Sequence, residues 1–165
     1  MSQPARRMTI DDLTAIPVLD DPRLSPDGAY VAFTVTRADR DANAYRTNVW
    51  RVPAAGGEPR QLTTAPAKDT APRWSSDGTR LLFLSDRGGD KQVWVISIGG
   101  GEARVLTTGK LSPADPVWSP DGRWIAFVGK PEAARARDES DVKVISRLRY
   151  KQDGEGYWDG RWKQI

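Results

Sequence analysis

Apolar residues in this chain fall in short recurring runs, not in the 3.6-residue rhythm of long helices. Three stretches spell nearly the same phrase: "LSPDGAYVAF" from Leu24 to Phe33, "WSSDGTRLLF" from Trp74 to Phe83, and "WSPDGRWIAF" from Trp118 to Phe127. A proline precedes each leading Leu or Trp by two residues, at Pro22, Pro72 and Pro116. Serine then suits the first place of a turn, proline pre-sets φ at the second, aspartate is tolerated at the third, and glycine supplies positive φ at the fourth. The pattern predicts a type I turn followed by a left-handed residue, a three-residue hairpin loop, and Ser76 in the second copy still fits it. After the turn, "YVAFTV", "RLLFLS" and "WIAFVG" are apolar at consecutive positions. A strand covered on one face alternates, so these are expected to be covered on two.

The first two units continue in parallel. Each adds a strand ("TNVWRVP", "KQVWVISI"), a glycine turn (Gly56-Gly57, Gly99-Gly100-Gly101) and a short strand ("PRQLTT", "ARVLTT"). Four strands joined by tight turns make a propeller blade, and the interval of 50 residues from Asp27 to Asp77 and 44 from Asp77 to Asp121 is a blade-sized period. The predicted fold class is therefore all-β: an incomplete β-propeller of two four-stranded blades plus part of a third, behind a short N-terminal helix. The blades are placed at about 21–64, 71–108 and 115–165, the last incomplete, with residues 1–20 as helix and linker. Thr9 is a good N-cap with Asp12 completing an acidic capping box, Met8 and Leu13 are placed for a hydrophobic staple, and Pro17 stops the run. In the third unit the charged insertion "KPEAARARDESD" precedes "VKVISRLRYKQDGEGYWDGRWKQI". Two blades and part of a third cannot close a ring, which takes roughly 4–8. The chain is thus expected to be a piece of a longer polypeptide.

Composition narrows the chemistry. Seven tryptophans are many for 165 residues, and those at 50, 74, 94 and 118 are expected to pack blades. Mean hydropathy is −0.59, no apolar run is long enough to span a membrane, and no apolar segment follows the N-terminal arginines. A cytoplasmic location is the expectation. The chain has no cysteine and no histidine, so no Ser-His-Asp triad, Cys-His pair or histidine-bound metal can be assembled from it. A net charge of +3 comes from 25 basic and 22 acidic residues that interleave, which describes a solvated mixed surface, not a nucleic-acid footprint. "DRDAN" at Asp39 to Asn43 opens like a calcium loop, but Ala44 and Trp50 stand where glycine and glutamate are needed, so a polar hairpin loop is expected. No Gly-x-Ser-x-Gly elbow occurs. One basic patch remains: on an extended strand, Arg147, Arg149 and Lys151 share one face and Leu148 and Tyr150 the other. Arg147, Arg149 and Tyr150 are candidates for lying near a substrate, the guanidinium groups meeting carboxylates of a peptide or of neighbouring Asp and Glu.

Taken in order, "MTIDDLTAI", "DPRLSPDGAYVAF", "PRWSSDGTRLLFLSDRGGDKQVWVI", "PVWSPDGRWIAFV" and "VISRLRYKQDGEGY" resemble the N-terminal part of prolyl oligopeptidase family serine peptidases, of the bacterial acylaminoacyl-peptidase type. The Ser-Pro-Asp-Gly repeats are shared with propellers such as TolB; the opening helix running into "DPRLSPDG" and the "RLRYKQDGEGY" segment are more specific. The resemblance implies a propeller that caps an α/β-hydrolase domain bearing a Ser-Asp-His triad and restricts access to short or N-acylated peptides. The N-terminal helix would pack on that hydrolase domain. None of the catalytic residues is in this chain, which alone should be inactive. The implied partners are a short peptide substrate and the remainder of the same polypeptide. A homo-oligomer is compatible with it, and no cofactor, metal, nucleic acid or membrane is implied. The alternative is a non-enzymatic, TolB-like propeller serving as a scaffold for protein–protein binding.

Overall fold

The repeated tetrapeptide owes its shape to side chains as much as to backbone. In the computed structural model, which describes residues 7–129, 151–152 and 156–157, Ser25 Oγ donates to Asp27 Oδ1 at 2.6 Å and accepts the Tyr30 N–H at 2.9 Å. Asp27 Oδ1 also takes the Ala29 N–H at 3.0 Å, and Gly28 (φ 73°) donates to the Ser25 carbonyl at 2.9 Å. The second and third copies repeat this arrangement through Ser75 and Asp77 and through Ser119 and Asp121. The loop differs from the three-residue hairpin expected. Strand pairing stops at Leu24 and resumes at Tyr30, because the serine hydroxyl, not its carbonyl, receives the returning N–H.

The strands these turns join are β1 (Val18–Leu24), β2 (Tyr30–Asp39), β3 (Ala44–Pro53) and β4 (Arg60–Gln61), forming one antiparallel sheet in that order. A second antiparallel sheet holds β5 (Thr70–Trp74), β6 (Arg80–Ser85), β7 (Gln92–Ser97) and β8 (Arg104–Val105). The third unit contributes β9 (Ala114–Trp118) and β10 (Ile125–Val128). A small hairpin pairs β11 (Lys151–Gln152) with β12 (Gly156–Tyr157). The two four-stranded blades and the partial third match the fold class read from the repeats. The first sheet begins at Val18, inside the stretch assigned to the linker. Arg147, Arg149 and Tyr150, and the charged insertion before them, lie outside the described residues.

Sheets stack face to face, and β6 shows why its residues are apolar without alternation. Leu81 and Phe83 point toward the first blade and share a core with Ala32, Val49 and Ile96, flanked by Trp74 and Trp94. Leu82 and Leu84 point the other way and join Val93 and Val95 against Trp118, Ile125 and Phe127 of the third unit. Leu81, Leu82 and Phe83 are wholly buried, each such side chain contributing roughly 1.5–3 kcal/mol of transfer free energy. Covering on two faces, expected from the sequence, holds fully for the middle blade.

Helix α1 (Ile10–Ala15) starts as expected. Asp12 Oδ2 accepts the Thr9 N–H at 2.6 Å and the Thr9 hydroxyl at 2.9 Å, and Ile16 before Pro17 is extended. The expected staple buries neither partner, Met8 and Leu13 being 69% and 60% exposed. The helix is moored instead by an ion pair from Arg40 Nη1 to Asp11 Oδ1 at 2.6 Å.

Candidate functional site on the inner strands

The first strand of each unit lies beside the first strand of the next, β1 against β5 and β5 against β9. This is the arrangement that makes first strands the inner wall of a propeller. Each inner strand carries one residue before its proline in the left-handed region: Asp21 at φ 50°, Ala71 at 53° and Asp115 at 48°. The strand bulges there, with register shifts between Asp20 and Arg23 and between Thr70 and Arg73. Such a conformation costs of order 1–3 kcal/mol for a residue other than glycine. Its repetition in all three units makes it part of the blade's design. The prolines are plain in the sequence but the positive φ is not, since a residue before proline normally prefers extended geometry.

Charge on this wall is paired across blades. Asp21 Oδ1 binds Arg23 at 2.7 Å and Asp21 Oδ2 binds Arg73 Nη1 at 2.8 Å, joining β1 to β5. Two tryptophans reinforce the seam: Trp74 Nε1 donates to the Arg23 carbonyl at 2.8 Å, and Trp118 Nε1 to the Arg73 carbonyl at 3.1 Å. Arg80 of the second blade also lies over the Trp118 ring, 4.8 Å from its centroid. Of the four tryptophans expected to pack blades, Trp74 and Trp118 both pack and bond across the seams, Trp94 packs against the core, and the indole nitrogens of Trp50 and Trp94 have no hydrogen-bond partner among the described residues.

The end of the sheets that holds α1 also holds the β2–β3 turn and the crossings between blades. There Asp69, wholly buried just before β5, binds Arg87 Nη2 at 2.7 Å through Oδ2. The Arg87 guanidinium lies over the cross-strand pair Trp94 and Phe83, 4.7 and 5.2 Å from their centroids, and its Nε donates to Ser85 Oγ at 3.0 Å. The Asp69 N–H donates to the Thr47 carbonyl at 2.8 Å, tying the crossing to the first blade. Composition hid this pair, because Asp69 and Arg87 stand 18 residues apart in stretches that read as surface loops. The "DRDAN" stretch forms the polar hairpin turn expected of it, between β2 and β3.

At the other end, the turn carboxylates are held in their charged form. Hydrogen bonds from the Ser75 hydroxyl, first, and then from the Thr79 N–H and hydroxyl pull Asp77 from 3.8 down to about 2. Asp27 and Asp121 are lowered in the same direction, by Ser25 and Ser119 first.

Stacked four-stranded antiparallel blades with aligned inner strands define a β-propeller domain. A family model described as the TolB beta propeller domain (PD40) matches residues 10–152, and the chain belongs to that family. It is similar to the uncharacterized peptidase YuxL of Bacillus subtilis, with 37% identity over 83 residues covering 50% of this chain and 13% of that protein. It is also similar to dipeptidyl-peptidase 5 of Porphyromonas gingivalis, with 33% identity over 70 residues, covering 42% of this chain and 10% of that protein. Among solved structures, the acylaminoacyl peptidase of Pyrococcus horikoshii superposes with a TM-score of 0.71 at 23% identity, covering 90% of this chain and 22% of that one. The matched stretches span only about a tenth of the curated relatives' length, and those relatives are peptidases. Among the described residues, no helix is long and apolar enough to cross a membrane.

Proposed function

We propose that the chain is the N-terminal propeller portion of a serine oligopeptidase of the prolyl oligopeptidase family, acylaminoacyl-peptidase-like. Its part is to admit short or N-acylated peptides to a catalytic α/β-hydrolase domain carried elsewhere in the same polypeptide. The observation that carries the reading is the 37% identity to a peptidase over half of this chain. The exposed helix supports it: Met8, Leu13 and Ile16 present apolar surface at the end of the sheets where α1 is moored, and a hydrolase domain packed on that end would cover them. In this reading the docking segment of residues 1–20 shortens to the part before β1, which begins the partial propeller at Val18, and Arg147, Arg149 and Tyr150 remain candidates for contacting the substrate.

The second reading, a non-enzymatic TolB-like scaffold, is favoured by the description of the matching family model. A fluorophosphonate probe separates the two. The full polypeptide is expected to be labelled at a serine outside these 165 residues, in a reading frame that continues to a Gly-x-Ser-x-Gly and a late histidine. A reading frame that stops soon after ring closure, or labelling of the 165-residue chain by itself, overturns the peptidase assignment.

A further inference from the structure

In five places an aspartate of this chain is followed by glycine, and in three of them, the blade turns, a serine stands two residues ahead of it. Asp-Gly is the pair at which a polypeptide most readily rearranges by itself, because glycine has no Cβ to hinder its nitrogen. The glycine nitrogen attacks Cγ of the aspartic acid and an N–C bond forms. The amide proton and the carboxyl hydroxyl leave as water, closing a succinimide ring. Hydrolysis returns the water at either carbonyl, and one of the two products is isoaspartate, in which the main chain runs through the β-carbon. The reaction needs a nitrogen free to give up its proton and a carboxyl group that is protonated, since an ionised carboxylate has no good leaving group.

Each turn withholds both. The N–H groups of Gly28, Gly78 and Gly122 donate to the carbonyls of Ser25, Ser75 and Ser119 at 2.9 Å in every case. Oδ1 of Asp27, Asp77 and Asp121 accepts the serine hydroxyl at 2.6, 2.6 and 2.5 Å. The same oxygens accept the N–H two residues on, at 3.0, 3.0 and 3.1 Å. Bonds of this kind favour the charged carboxylate, and the serine hydroxyl is the largest cause lowering all three groups. An isoaspartate would lengthen the main chain of the turn by a methylene. The Tyr30 N–H would then no longer meet Ser25 Oγ, the bond of 2.9 Å that sets where β2 begins.

We infer that Asp27, Asp77 and Asp121 are latent sites of isoaspartate formation, and that the serine hydroxyl of each turn keeps them closed. Aspartate or asparagine would also start a type I turn, but an aspartate in the serine's place would repel the carboxylate it faces. The protection is graded. Asp77 Oδ1 takes a third bond, from the Thr79 hydroxyl at 2.9 Å, which Ala29 has no hydroxyl to supply in the first turn. The inference does not depend on the peptidase reading, because the turns are the same whatever the propeller serves.

Trypsin releases the three turns on separate peptides, 24–37, 74–80 and 111–123. Isoaspartate can therefore be counted at each turn by electron-transfer fragmentation, after prolonged incubation of the chain at neutral pH. Formation in the folded chain is expected to be at least about tenfold slower than in the same chain unfolded in urea, because it waits on local opening, and slowest at Asp77. Thr79→Val is expected to raise Asp77 to the rate of Asp27 and Asp121. Ser75→Ala is expected to raise Asp77 toward its unfolded rate and to leave Asp27 and Asp121 unchanged. Equal rates in the folded and unfolded chains overturn the protection. An Asp77 rate unmoved by both substitutions overturns the role of the hydroxyls, as does a folded Ser75→Ala chain that reacts equally at all three turns.

Discussion

Replacing Arg87 by alanine tests whether one buried ion pair holds the crossing between the first two blades. Asp69 is wholly buried, and only one of its carboxylate oxygens has a side-chain partner, Arg87 Nη2 at 2.7 Å; Oδ1 has no hydrogen-bond partner among the described residues. Arg87→Ala therefore leaves a charge in the interior with nothing to offset it, which costs about 3–5 kcal/mol. It also removes the guanidinium from over Trp94 and Phe83, worth about 0.5–2 kcal/mol where solvent is partly excluded. Asp69→Asn keeps the shape and removes the charge, so it is expected to cost less, about 1–3 kcal/mol. Once the charge is gone, removing Arg87 loses only stacking and packing. The double variant should thus be more stable than the sum of the single effects predicts, by about 3 kcal/mol or more, the charge penalty that is absent once Asp69 is neutral. Reversible urea unfolding followed by tryptophan fluorescence measures all four corners of this cycle. A coupling below about 0.5 kcal/mol, the size expected of independent sites, refutes the view that the pair acts as a unit.

Trp118→Phe keeps an aromatic ring in the seam and removes only the donor to the Arg73 carbonyl; a loss of about 0.5–1.5 kcal/mol in urea unfolding is expected, and an unchanged midpoint would mean the bond contributes nothing. Gly28→Ala meets only backbone strain, since φ is +73° and nothing lies within 4 Å, whereas Gly122→Ala at φ +67° also meets Ser76 Oγ at 3.2 Å. Both are expected to cost about 1–2 kcal/mol, Gly122→Ala more, with Ser76→Ala erasing the difference. Asp77, lowered from 3.8 to about 2, favours the folded state fully above pH 3.8, and that stabilisation is lost as pH falls through 2. Ser75→Ala removes the largest cause of the shift and should move the loss to higher pH, which acid titration of the unfolding midpoint would reveal.

The sequence made the blades legible because their signals are local and repeated. Glycines at 28, 78 and 122, prolines ahead of the leading Leu or Trp, and apolar runs at fixed offsets each report a turn or a strand within ten residues. What stayed hidden is what depends on two blades meeting. Asp69 and Arg87 find each other only once β5 and β6 are paired, and neither stretch is apolar. The tryptophan bonds join residues 51 and 45 apart in the chain, and an indole among apolar neighbours reads as packing, with no sign of its acceptor. The loop length went wrong for a related reason: type I turn statistics count backbone bonds, and here the serine side chain takes one of them.

The same serines also show why the Ser-Asp pairs of the turns are not read as a catalytic site. Each Ser-Asp pair has a nucleophile and a carboxylate in contact, at 2.6, 2.6 and 2.5 Å, a juxtaposition that in another setting would invite a catalytic reading. A general base works best with a pKa near the operating pH, and Asp77 is held at about 2, far too weak to take a proton from a hydroxyl near neutrality. The hydroxyl is also occupied twice over, donating to the aspartate and accepting the N–H five residues on. No histidine exists in the chain to stand between them. Three copies in one geometry at the tips of three blades are what a turn-building device requires. A serine that reacts with a fluorophosphonate needs a hydroxyl free to leave its partner, and Ser25, Ser75 and Ser119 are fixed by the bonds that close the loops.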